Sequence, residues 1–164
     1  MAGAVLGLGG VAGCRAPESS ARATTVAVVV DRGAGREAFG AESAQPVCLR
    51  GLAGAGSWAV QYTDARAGST ELASLQILAP AGADSPDGTD AVYFGLATGP
   101  ASSDSAHVVE TRAGAGHPQG AGRVVVRGGP DTALIRATGR SGSGAELTAT
   151  VRCAQVRSAP QEAR

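Results

Sequence analysis

After residue 25 the chain alternates between apolar and polar residues with a period near two, in short segments separated by turn-forming residues. Thr25-Val26-Ala27-Val28-Val29-Val30 is a short β-branched run. Trp58-Ala59-Val60-Gln61-Tyr62-Thr63 places Trp58, Val60 and Tyr62 on one face. Ala91-Val92-Tyr93-Phe94-Gly95-Leu96 and Ala106-His107-Val108-Val109-Glu110-Thr111 read as further strands. Arg123-Val124-Val125-Val126-Arg127 runs into Gly128-Gly129-Pro130-Asp131, a strong turn signal, and Thr132-Ala133-Leu134-Ile135-Arg136-Ala137-Thr138 answers it as a hairpin partner. Glu146-Leu147-Thr148-Ala149-Thr150-Val151-Arg152-Cys153 turns Leu147, Ala149 and Val151 inward and Thr148, Thr150 and Arg152 outward. Leu72-Ala73-Ser74-Leu75-Gln76-Ile77-Leu78 is ambiguous, because Leu72, Leu75 and Leu78 also suit a helical turn, and a single short helix near residues 64–75 is compatible with the pattern. Residues 113–122 read as a Gly-rich loop.

This pattern predicts an all-β, mostly antiparallel, sandwich-like domain spanning residues 26–156. One wet face per sheet accounts for the alternation. Residues 157–164 are polar and are expected to fray.

The first 14 residues break the pattern. Residues 1–13 are apolar and uncharged, Arg15 being the first charged side chain. They are too few to span a bilayer, which takes about 20 residues, and they fit the apolar core of a signal peptide. Val11-Ala12-Gly13-Cys14 has the order of a bacterial lipobox: an aliphatic residue, two small residues and a cysteine. Small residues admit the chain to a peptidase cleft. The Cys14 thiol then takes diacylglycerol as a thioether, and cleavage frees its amine for another acyl chain, palmitate among the candidates. Positive charges before the apolar run are missing and the run is short; a start codon further upstream would supply both. The competing reading is a buried Ala/Gly helix with an incidental cysteine. Residues 14–25 carry no periodicity and are rich in small and polar types, as in a flexible tether.

Of the three cysteines, setting Cys14 aside leaves Cys48 and Cys153 as one even pair, expected to form a disulfide in an oxidising compartment. Two buried thiols or a catalytic thiol are the alternatives. Their wide spacing does not match zinc patterns, which use close pairs.

Composition narrows the function classes. Aromatics make up 3% of the chain, so Phe39, Trp58, Tyr62, Tyr93 and Phe94 are expected to matter to the core. With no lysine or asparagine, all 14 basic residues are arginine, as in a GC-rich genome. The net charge is zero, and no basic block or stripe appears along the chain. Nucleic acid is therefore not an expected partner, and no polybasic patch for anionic lipid is evident.

The layout of lipobox, small-residue stalk, strand, cysteine and closing strand ending in cysteine resembles the nineteen-kilodalton lipoprotein antigen family of mycobacteria and relatives. Val26-Ala27-Val28-Val29-Val30-Asp31-Arg32-Gly33 is similar to its opening strand and turn. Pro46-Val47-Cys48 is similar to the strand bearing its first cysteine. The segments 72–77, 91–95, 135–139 and 146–153 resemble its central, penultimate and closing strands. The chain departs from the family in having no Asn-Pro element before the last strand and in expanded 79–90 and 98–121 loops. The resemblance implies a surface antigen on the extracytoplasmic face of the cell membrane, sensed by host receptors through its acylated N-terminus, with no enzymatic activity.

Catalytic and metal chemistry find weak support. Asp84, Asp87 and Asp90 lie in Asp-Ser-Pro-Asp-Gly-Thr-Asp, which reads as turn chemistry rather than a calcium loop. His107 is expected to face solvent on a strand, and His117 precedes Pro118 in a loop. No Gly-x-Ser-x-Gly is present, and Gly139-Arg140-Ser141-Gly142 falls at a turn. Residues 51–56 are Gly-rich but lack the lysine of a phosphate loop. The expectation is thus a lipid-anchored envelope protein without cofactor, metal or catalysis. The alternative is a carrier or binding module for an apolar or small ligand, which requires a cavity its side chains leave open.

Overall fold

A computed structural model of the chain describes residues 23–45, 47–99, 106–110 and 120–159. Cys14 and residues 1–13, as well as His117, lie outside the described residues. Among the described residues every regular element is a strand: β1 (Thr24–Asp31), β2 (Arg36–Ser43), β3 (Cys48–Arg50), β4 (Trp58–Thr63), β5 (Leu72–Ala79), β6 (Thr89–Asp90), β7 (Tyr93–Thr98), β8 (Ala106–Glu110), β9 (Ala121–Gly128), β10 (Ala133–Arg140), β11 (Glu146–Cys153) and β12 (Val156–Ser158). They form two six-stranded sheets, β2-β1-β11-β10-β9-β6 and β12-β3-β4-β5-β7-β8. All pairings are antiparallel except β12 with β3. The expected all-β, mostly antiparallel architecture is what the chain adopts.

The period-two alternation builds one core between the sheets. Val26, Val28 and Val30 of β1, Leu147, Ala149 and Val151 of β11, and Ala133, Ile135 and Ala137 of β10 point inward from the first sheet. Val60, Tyr62, Leu75, Ile77, Phe94 and Leu96 answer from the second. The core is mostly aliphatic, as the low aromatic content requires, and Phe94 is its largest fully buried side chain.

The Gly128–Asp131 turn forms as expected: Gly128 sits at φ 131°, the Gly129 amide donates to the Thr132 carbonyl at 2.9 Å, and Ala133 pairs with Gly128. A Cβ at Gly128 would lie 2.5 Å from the Thr132 carbonyl oxygen. A second pair of glycines serves packing. Gly122 and Gly139 are direct cross-strand partners on β9 and β10. A Cβ on either would stand 3.0 Å from a methyl of Val109, which reaches over from β8 in the other sheet.

The structure departs from the sequence expectations at several places. Residues 64–75 hold no helix: 64–71 form turns and Leu72–Ala79 is a strand, so the Leu72/Leu75/Leu78 spacing resolves in favour of β structure. Leu72 and Leu75 are buried and Leu78 lies on the outer face. Arg36–Ser43 forms an edge strand whose apolar content is almost confined to Phe39 and Ala41, both packed at the rim of the core. Its charged Arg36, Glu37 and Glu42 suit an exposed edge. Thr24 and Thr25, assigned to the tether, begin β1. Residues 157–159, assigned to a fraying tail, are held: β12 pairs with β3, the Val156 amide donates to the Asp131 carbonyl at 2.9 Å and the Ala159 amide to the Arg50 carbonyl at 2.8 Å. Ala121 and Gly122, placed in a loop by sequence, begin β9.

Cys48 and Cys153 form a disulfide with Cα atoms 6.0 Å apart and a sequence separation of 105, a Cα distance normal for a bridge. Cys48 belongs to one sheet and Cys153 to the other, so the bond ties the two layers directly. In the chain-entropy model, closing so long a loop is worth about 4–5 kcal/mol. Replacing both cysteines by alanine is therefore expected to lower the unfolding free energy by several kcal/mol in denaturant titration; an unchanged midpoint would refute that role. Gly139→Val, which drives methyls into Val109, should cost about 1–3 kcal/mol in the same measurement.

Candidate functional site

Four places in the described structure bear on function: the disulfide, the end of the sandwich around His107, the aspartate loop, and the outer faces of the sheets.

His107 does not face solvent. Its partner across the β7–β8 pairing is Leu96, an inward residue, and its ring is buried at the rim of the core. Arg32, from the β1–β2 turn, brings its guanidinium to 3.0 Å from Nε2 and also meets Glu37 at 2.6 Å. A guanidinium only donates, so Nε2 must accept and the neutral ring carries its proton on Nδ1. Nδ1 is buried and has no hydrogen-bond partner among the described residues. Burial pushes the His107 pKa below its ordinary value, the Arg32 charge pushes it further down, and Glu37 partly opposes them. With its basic nitrogen engaged by Arg32, the ring is poorly disposed to take a proton from a nucleophile.

Ser141 is buried at the β10–β11 turn. Its hydroxyl accepts from the Ala145 amide at 3.1 Å and lies 2.9 Å from the Ser143 hydroxyl. It is a turn-closing hydroxyl. The Gly-rich segment 51–56 is likewise folded on itself: the Gly51 amide donates to the Ser57 carbonyl, the Gly54 amide to the Gly51 carbonyl and the Ala53 amide to the Ser57 hydroxyl. Asp87 belongs to a turn, Asp84 lies 4.0 Å from Arg50, and Asp90 of β6 lies 3.9 Å from Arg123. Among the described residues, no group of three His, Cys, Asp or Glu side chains could hold a metal ion. Tyr62, buried in the core, has its pKa raised by desolvation and by the nearby Asp64 and Glu71 carboxylates, which favours the neutral phenol.

The outer faces carry features that linear reading missed. On the β12-β3-β4-β5-β7-β8 sheet, the register aligns Leu49, Ala59, Leu78, Tyr93 and Glu110 in one cross-strand row. Tyr93 lies across Gly95, where a Cβ would stand 2.6 Å from the phenol oxygen. Leu52, the exposed large hydrophobic residue, adds to a groove of about 300 Å³ there, with Gln61, Gln76 and Glu110 supplying polar groups. This is the low end of small-ligand sites. On the other sheet, a groove of about 210 Å³ lies between Arg123, Arg127 and Arg136 over Val125 and Leu134. Two polar clefts near Arg32 open at the His107 end. These four hollows lie at the surface, on the outer faces and at the end of the sandwich.

No family model, curated protein or solved structure matches the chain.

The His107 environment yields a pH signature. The folded pKa lies below the unfolded value near 6.5, so the unfolded chain takes up the proton first. Stability therefore falls as pH drops below about 6.5 and levels off once the folded ring also protonates. His107→Gln should flatten the part of a melting-temperature profile that falls below about pH 6.5. A variant slope equal to that of the parent would refute the assignment.

Proposed function

We propose that the chain is an exported envelope lipoprotein, anchored by acyl chains on Cys14, whose disulfide-closed β-domain is displayed on the extracytoplasmic face of the cell membrane. The observation that carries this reading is the partition of the three sulfurs. Cys48 and Cys153 are joined to each other, which leaves Cys14, at the end of an apolar run and in lipobox order, for the thioether. A bridge between sheets suits an oxidising compartment outside the cytosol. Acyl chains contribute about 0.8 kcal/mol per buried methylene, so two or three make a durable anchor. The order of segments resembling the nineteen-kilodalton lipoprotein antigen family supports display as a surface antigen, with a host or envelope receptor as partner. Absence of catalysis belongs to the same reading, and the engagement of Ser141 and of His107 Nε2 by structural partners supports it.

A second reading, a binding module for an apolar or small ligand, is favoured by the groove at Leu52, Leu78 and Tyr93. It differs from the carrier anticipated from sequence in that the groove is external and open rather than enclosed between the sheets.

Intact mass of protein extracted from membranes tests the first reading. The expected species begins at Cys14 and carries a diacylglyceryl adduct, with a further two-dalton gain on reduction. A soluble chain retaining Met1 and no adduct would overturn it. Organic extraction of the same sample tests the second, which requires lipid bound in stoichiometric amount beyond the covalent chains.

A further inference from the structure

The fold assembles a basic surface that no stretch of the sequence contains. Arg123 and Arg127 of β9, Arg136 of β10 and Arg152 of β11 alternate with buried residues, so all four point to the outer face of one sheet. The register brings them together. Arg127 and Arg152 flank Leu134 in one cross-strand row. Arg136 stands between Val125 and Thr150 in the next, and Arg123 is opposite Thr138 in the one after. Arg136 is thus the diagonal neighbour of each of the other three. All four are exposed.

Long like-charged side chains on diagonal positions lie within reach of one another and repel unless something answers the charge. Within the described residues the answer is thin. Arg123 donates to the Asp87 carbonyl at 2.8 Å and has Asp90 at 3.9 Å; Arg127, Arg136 and Arg152 have no carboxylate within ion-pair distance. The other carboxylates of this face stand apart from the cluster: Asp31 and Glu146 are cross-strand neighbours at the far end of β1 and β11, opposite Arg36 and Arg140, and Glu42 lies out on the β2 edge with Thr25 between it and Arg152. The chain is neutral as a whole, so the clustering is a matter of placement.

The start of β1, the first strand of the described residues, lies at the same end of the face. Thr25, in the second position of β1, is the direct cross-strand partner of Arg152. Nine residues lie between Cys14 and Thr24, ten Cα–Cα steps in all, a reach of at most about 35 Å. Acylation at Cys14 would therefore hold the Arg152–Leu134–Arg127 row close to a leaflet.

We propose that this arginine face docks on the anionic phospholipid headgroup layer of the membrane that holds the anchor. The inference rests on the lipoprotein reading for the presence of that membrane. The planar guanidinium fork matches a phosphodiester with two parallel hydrogen bonds. Leu134 and Val125 leave an apolar floor between the forks. Each arginine near an anionic surface strengthens partition about fivefold, so the face adds a second, salt-sensitive attachment to the acyl chains and lays the domain flat rather than leaving it upright on its stalk.

The test uses the oxidised full chain carrying Cys14→Ser, so that acylation plays no part. It is floated with vesicles of equal phosphatidylglycerol and phosphatidylcholine, and with pure phosphatidylcholine; the neutral vesicles subtract any contribution of residues 1–13. Preferential binding to the anionic vesicles is expected, declining with added salt. Arg127→Gln with Arg136→Gln and Arg152→Gln should weaken it by on the order of 100-fold. Arg66→Gln with Arg157→Gln, on other surfaces, should leave it intact. Equal binding to both vesicles, salt-insensitive binding, or a triple variant that binds like the parent overturns the proposal. So does tighter binding to a sulfated polysaccharide or to DNA, which would assign the face to a soluble polyanion. Anionic-vesicle binding by a protein whose native form proves unacylated would sustain the face and reject the anchor; an acylated native form with no such binding would do the reverse.

Discussion

The bond between Cys48 and Cys153 joins the two sheets at the point where the chain passes from one to the other. Beyond Cys153 the backbone turns through Ala154 and Gln155 and adds β12 to the edge of the second sheet, in register with Cys48 itself. The Ala154 amide donates to the Thr24 hydroxyl at the start of β1. One covalent contact thus fixes the first strand, the last two strands and the strand bearing Cys48 near one another. A core of valine, leucine, isoleucine and alanine with few rings buries modest area per residue, and a domain of this size holds only about 5–15 kcal/mol in total. A cross-link that removes chain entropy from the unfolded ensemble is a large part of that margin.

Given two layers held together, the period-two pleat dictates the surfaces. Each strand that turns valine or leucine inward must turn its neighbours outward, and the two outer faces diverge in character. One gathers arginines and threonines from β9, β10 and β11; the other aligns Leu49, Ala59, Leu78 and Tyr93. The open side between β8 and β9 is closed by Val109 against the paired Gly122 and Gly139, where any larger side chain would hold the layers apart. At one end, Arg32 caps the rim by reaching His107. The functional reading follows this division: the interior and the glycine pair serve cohesion, and what the protein meets, it meets on its faces.

Much of this was legible beforehand. The inward sets of β4 and β11 are read off alternation, and the Gly128–Asp131 turn off its composition, because both depend on residues within a few positions of each other. Arg36–Ser43 escaped notice because an edge strand needs little apolar surface, and Phe39 alone is a weak signal. Val156–Ser158 escaped because its ordering comes from β3 and Asp131, distant in sequence. His107 was misjudged for a related reason: its neighbours Ala106 and Val108 are small and mixed, and what buries it is the rim of the core and the turn carrying Arg32. The basic face leaves no trace along the chain, since Arg123, Arg127, Arg136 and Arg152 are spaced four or more positions apart and form no run.

Strand character, the alternation of inward and outward side chains and the availability of Cys48 and Cys153 as an even pair follow from the order of residues alone. These are local or arithmetic properties of the chain. Only the tertiary structure decided which strands share a sheet, which sheet each cysteine belongs to, and which outward residues become neighbours. Register is set by non-local hydrogen bonding and by how inward side chains fit across the core. That fit turned Arg123, Arg127, Arg136 and Arg152, spread over 30 positions of a neutral chain, into one surface.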